Sequence, residues 1–166
     1  LLFMGSEFGQ FIEWDYKRQL DWMLLEYDAH RQLKAYVAAL NAFYLKNPPL
    51  WEEDCSWNGF NWIVSDDRDN SVAAFIRRDK SGNEIISVCN FTPVTRHKYR
   101  FGVPEKGTYR VVFSSASAEF GGKGEGTVGS VRAKKKRQKK LKKKWIKPFL
   151  RILFHLRKVT LMILMI

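Results

Sequence analysis

Cysteine is nearly absent from this chain: Cys55 and Cys89 are the two among 166 residues. Two thiols cannot build the disulfide framework that staples a small secreted domain. Both have apolar neighbourhoods, which predicts reduced packing residues in a cytosolic protein, and their spacing fits no zinc pattern. No cofactor motif stands out. The glycine-rich stretch EFGGKGEG (Glu119–Gly126) does not open an apolar helix, so it is not a phosphate cradle. No apolar run approaches the roughly 20 residues that span a bilayer. The sequence opens on Leu1 with an apolar strand pattern and no charged leader, and reads as cut from something longer.

Acid is missing from one part of the chain. All 17 Asp and Glu lie in 1–130 beside 15 of the 29 Lys and Arg, a net charge of −2. Residues 131–166 carry the other 14 bases and no acid, so the whole +12 excess belongs to this tail. Such a shift marks a boundary. Hydrophobic residues make up 45% of the chain, a globular composition.

What is there reads in order. LLFM (Leu1–Met4) is an apolar run ending at Gly5 and predicts a buried strand. GSEFGQFIEWDYKRQLDW (Gly5–Trp22) has no clean period and is rich in polar and aromatic residues, the profile of a long functional loop. Asp28 can cap a helix, and Leu33, Val37, Leu40 and Tyr44 recur at helical spacing until Asn47-Pro48-Pro49 stops it, which predicts a helix over 29–46. The period then falls to two. Segments 60–65, 71–78, 84–92, 97–103 and 108–115 read as strands separated by DDRDN, DKSGN and PEKG turns, and predict an antiparallel sandwich.

Strand, aromatic and acidic loop, helix, then sandwich is the order of the last βα unit of a (β/α)8 barrel followed by an all-β domain. Chemistry in such barrels sits on the loops after the strands. Glu7 follows the first strand by three residues, and Trp14 and Trp22 share its loop. Indoles stack on the CH faces of sugars and carboxylates accept hydrogen bonds from hydroxyls, which suits a carbohydrate cleft. The same residues also suit a loop pinned down by its own aromatics.

The phrases LLFMGSEFGQ, EW, LDW, GFNWIVSDDRDNSVAAFIRR and VCNFTPVTRHKYRFGVP closely resemble the C-terminal portion of bacterial 1,4-alpha-glucan (glycogen) branching enzymes of the α-amylase superfamily. The resemblance covers 1 to about 130. It implies strand 8 and helix 8 of a catalytic barrel over 1–47, an all-β C-terminal sandwich over 48–130, and an aberrant Lys-rich tail over 131–166. It implies cleavage of an α-1,4 glucan bond with retention, and transfer of the chain to a 6-hydroxyl, in the cytoplasm and without a cofactor. The nucleophile and the acid of that chemistry lie upstream of strand 8 in the family, so none of the catalytic residues is expected here. Glu7 matches the glutamate of the family's strand 8 motif. Trp14 matches EW, and Asp21 and Trp22 match LDW, all as substrate-side or loop-holding positions. The implied partner is α-glucan, with no specific nucleic acid and no metal. Met23 stands where the family usually has His, and Ser114–Ser117 replace a segment that often reads Asn-Ser/Thr-Asp.

The tail supports three readings. As a basic segment it would neutralise phosphates in a salt-dependent way. As a membrane-surface helix it would line Lys147, Arg151, His155 and Lys158 along one face. As an out-of-frame translation it would carry the Lys, Arg, Ile, Leu, Met and Phe that A/T-rich codons give, in place of the family's closing strands, and another frame across 132–144 would restore a Leu-Pro-Pro segment. Charge repulsion predicts a helical or disordered tail. The leading expectation is a branching-enzyme fragment that is inactive alone. The alternatives are a non-catalytic glucan-binding piece and a cationic membrane- or nucleic-acid-binding protein.

Overall fold

The computed structural model describes residues 3–124, 129–135, 150–156 and 160–165. The helix α1 spans Asp28–Lys46 and is followed by a 3-10 turn at Pro48–Leu50. The two prolines end it as expected, because proline has no amide to donate to the preceding turn. Its start differs in detail. Tyr27 occupies the capping position without a side-chain cap bond, and Asp28 is the first helical residue, where its carboxylate pairs with Arg31 one turn on. A carboxylate in the first turn also suits the positive end of the helix dipole.

Five strands follow where the period-two segments lie: β1 Phe60–Asp67, β2 Val72–Arg78, β3 Glu84–Asn90, β4 Arg96–Val103 and β5 Thr108–Ser114. Four more come from the chain beyond them: β6 Ser130–Arg132, β7 Lys134–Lys135, β8 Leu150–Leu156 and β9 Thr160–Met165. They build a six-stranded sheet in the order β1-β2-β3-β9-β5-β6 and a three-stranded sheet in the order β4-β8-β7. All pairings are antiparallel.

The core lies between the sheets. Val72, Ala74, Ile76, Ile86 and Val88 meet Phe101 and Val103, with fully buried Tyr109 among them. The Tyr109 hydroxyl donates to the Glu105 carbonyl at 3.1 Å, so the buried ring leaves no polar group unpaired. The opposite face of the large sheet receives α1. Tyr36 and Phe43 pack on Phe113 at 6.0 and 5.3 Å, and Phe120 closes on Tyr36 at 5.5 Å. Gly122 allows the loop beneath to close, since a Cβ there would meet the Ala116 carbonyl oxygen at 2.0 Å.

The tail departs from a helical or disordered form wherever it is described. Residues 150–156 and 160–165 are strands, so Arg151 and His155 lie on β8 and not on a helix face. Lys147, Lys158 and the run 136–149 lie outside the described residues. The physical reason is in the apolar flanks of the basic run. Leu150, Ile152 and Phe154 alternate and are in register with Val103, Phe101 and Tyr99. β9 reads TLMILM, five apolar residues after Thr160, a pattern that suits its interior place between β3 and β5.

Two smaller expectations also change. Phe3 and Met4 are not in a strand. A single barrel strand has no ladder to join without its neighbours, and the described residues supply none. Cys89 is half-buried, but Cys55 is exposed and does not act as a packing residue.

Candidate functional site

The loop that precedes α1 is held by aromatic packing and by side-chain bonds to its own backbone. A 3-10 turn at Ser6–Phe8 starts it and another at Trp22–Glu26 ends it. Phe8 is fully buried, with the Trp22 ring stacked on it at 5.4 Å. His30 of α1 reaches back so that Nδ1 meets the Phe8 carbonyl at 2.7 Å. A carbonyl only accepts, so Nδ1 carries the proton. Gln10 bonds at both ends of its amide: Oε1 accepts from the Asp21 backbone N–H at 2.9 Å, and Nε2 donates to the Ile12 carbonyl at 3.1 Å.

A cleft of about 330 Å³ opens beside this frame, lined by Phe3, Met4, Ser6, Gln10, Ile12, Glu13 and Trp14. Its size lies in the range of small-molecule sites. Trp14 meets Phe3 edge to face at 5.5 Å, so the indole is held upright in the cleft wall. Of the four residues expected to touch sugar, only Trp14 lines this cleft. Glu7 is half-buried on the first 3-10 turn, Asp21 is half-buried at the far corner, and Trp22 is half-exposed over Phe8. The structure therefore gathers Asp21 and Trp22 at one corner and Trp14 in a separate wall. Glu13 and Gln10 join the wall without having been singled out. Glu13 could have been found from its place beside Trp14; Gln10 carried no charge to mark it.

The ionisable groups with clear perturbations lie elsewhere, on α1 and in the strands and turns of the sandwich. Burial works against the Asp67 carboxylate, yet hydrogen bonds from Tyr99 and Asn70, helped by Arg96, hold its pKa below the ordinary value. The Tyr99 hydroxyl donates to it at 2.5 Å and is itself pushed up by burial and by that bond. Burial with nearby Glu84 and Glu105 pushes Tyr109 up to about 12, against the opposing bond to the Glu105 carbonyl. Among the described residues no group of three His, Cys, Asp or Glu side chains is placed to hold a metal ion, and no helix is long and apolar enough to cross a membrane.

Residues 62–147, just over half of the chain, match the family model described as "Alpha amylase, C-terminal all-beta domain". The chain belongs to this family. The match starts inside β1 and continues past Ser130 into the basic run. Three proteins similar to this chain of the alpha-amylase C-terminal domain family are each named "1,4-alpha-glucan branching enzyme GlgB". That of Halothermothrix orenii is 53% identical over 126 residues, covering 75% of this chain and 20% of the relative. That of Aquifex aeolicus is 49% identical over 136 residues, 81% of this chain and 22% of the relative. That of Trichodesmium erythraeum is 45% identical over 129 residues, 77% and 17%. The chain thus spans about a fifth of the length of the curated relatives it matches. It corresponds to their C-terminal portion, where the all-β domain lies.

Proposed function

We propose that this chain serves as the C-terminal part of a cytoplasmic 1,4-alpha-glucan branching enzyme. That enzyme breaks an α-1,4 bond of glycogen or amylose and passes the released chain to a 6-hydroxyl. The observation that carries the reading is identity of 45–53% to enzymes of that name over three quarters of the chain or more.

Retaining transfer needs a carboxylate nucleophile and a carboxylic acid about 5–5.5 Å apart on either side of the scissile bond. In this reading both come from the upstream barrel. The segment 3–46 contributes a wall of the glucan cleft. Trp14 and Trp22 offer indole faces to pyranose rings, and Glu7 and Asp21 offer acceptors to hydroxyls. The sandwich supports that wall through the packing of Tyr36 and Phe43 on Phe113.

Iodine staining and debranching of amylose test the proposal. The complete gene product is expected to form α-1,6 branches, and the purified 166-residue chain none. A complete product that leaves amylose linear sinks the enzyme reading. Branching by the isolated chain sinks the assignment of the chemistry to the upstream part. Binding of amylose by a complete product with no turnover favours a glucan-binding module instead.

A further inference from the structure

We propose that Gln10 is a positioning residue whose carboxamide fixes the Asp21–Trp22 corner relative to the cleft. The inference rests on the branching-enzyme reading for its substrate, and on geometry alone for its mechanics.

Gln10 is held from three directions. Its backbone N–H donates to the Gly5 carbonyl at 3.0 Å. Its Nε2 donates to the Ile12 carbonyl at 3.1 Å, and its Oε1 accepts from the Asp21 N–H at 2.9 Å. The two ends of the amide face opposite kinds of partner, a carbonyl and an N–H, so its orientation is fixed. Gly5 makes the room. Its φ of 88° is left-handed, and a Cβ there would lie 2.9 Å from Gln10 Oε1 and 3.0 Å from Gln10 Cβ.

The backbone bonds of this loop are short in range: Ser6 to Phe3, Phe8 to Gly5, Gly9 to Ser6, Arg18 to Asp15 and Trp22 to Leu20. None of them joins the start of the loop to its end. Among the described residues that hydrogen-bonded link is Gln10 to Asp21, eleven positions apart. Gln10 also stands in the cleft wall with Trp14. One side chain therefore touches the cleft and sets the corner that carries Asp21 and the half-exposed Trp22. Moving that corner alters what a bound glucan meets while leaving the chemistry upstream intact. The expected signature is a KM effect and not a kcat effect.

The test uses two variants of the complete enzyme carrying this segment. Gln10→Met keeps the length and removes both polar ends. Gln10→Glu keeps the acceptor for Asp21 and removes the donor to Ile12. Gln10→Met is expected to raise KM for amylose about tenfold with kcat within about twofold, and Gln10→Glu to recover most of that loss. Amide exchange over residues 20–24 is expected to quicken about tenfold in Gln10→Met and to stay near the parent in Gln10→Glu. A purely structural role would lower the melting temperature and kcat together and leave KM alone. Unchanged exchange in Gln10→Met overturns the proposal whatever the kinetics. Faster exchange with unchanged KM overturns the link to substrate. A parent enzyme that forms no branches defeats the functional reading instead, and the exchange result still decides whether Gln10 holds the corner.

Discussion

Trp22 is a packing residue to which the proposed function adds a binding role. It stacks on buried Phe8 yet keeps 50% of its surface open. Replacing it with alanine in the complete enzyme should weaken use of amylose and also remove about 1 kcal/mol of aromatic stacking. Kinetics and a thermal melt on the same variant check both, and an unchanged result in each would assign the ring to neither role. The carboxylates at the turns set the acid limit of the fold. Asp67 and Asp79 have pKa values held low, Asp67 by Tyr99 and Asn70 against its burial, Asp79 by Asn83 foremost. Carboxylates with depressed folded values contribute stability that is present above the ordinary carboxylate pKa, about 4, and lost as pH falls through the folded value. Urea unfolding between pH 6 and about pH 2 should show this decline, and Asp67→Asn should flatten it. Tyr99→Phe removes a donor from Asp67 and should cost about 1 kcal/mol at neutral pH. The indoles and acids of the loop stand out in the sequence by residue type alone, which marks them as candidates. Gln10 does not stand out, because its two partners, Ile12 and Asp21, are brought to it only by folding.

The elements with a strong local period were legible almost to the residue. The helical spacing predicts 29–46 and α1 spans Asp28–Lys46, and β1 to β5 fall on the five period-two segments. Local patterning sufficed for these because turns and prolines bound them on both sides. The apolar residues of Leu1–Met4 predict a strand, yet Phe3 and Met4 are outside any ladder, since a strand is a pairing and not a local state. The helix shows the same dependence on neighbours. None of its 19 residues is buried, and Leu33, Tyr44 and Leu45 are exposed. Together with Phe3, Phe11 and Met23 they present apolar surface of the kind that drives association. In the 166-residue chain, Leu45→Lys should reduce self-association in sedimentation while changing stability by less than about 0.5 kcal/mol. The face of α1 that does have a partner should behave differently. Tyr36→Ala removes the ring between Phe113 and Phe120 and should cost about 2 kcal/mol in urea unfolding.

At the scale of the molecule the charge excess of the tail masks its strand pattern. Eleven bases in 131–149 dominate its composition, while the alternation of Leu150, Ile152 and Phe154 that pairs with β4 is a weaker signal beside it. The sandwich depends on those flanks. Ending the chain at Ser130 would take away β9 and leave β3 and β5 with unpaired edges inside one sheet. Such a truncation should lose cooperative thermal unfolding, and a sharp melt from it would show that β9 is dispensable. The position of β9 also bears on how the protein is made. Asn90 pairs with Thr160 and Ser114 with Met162, so both neighbours of β9 leave the ribosome before the strand that joins them. The large sheet is completed from its middle, by the last of its strands to be synthesised. Until then the nascent chain carries two open halves whose edges can capture one another or a second copy, and closing the gap between them is a long-range step of the kind that folds slowly.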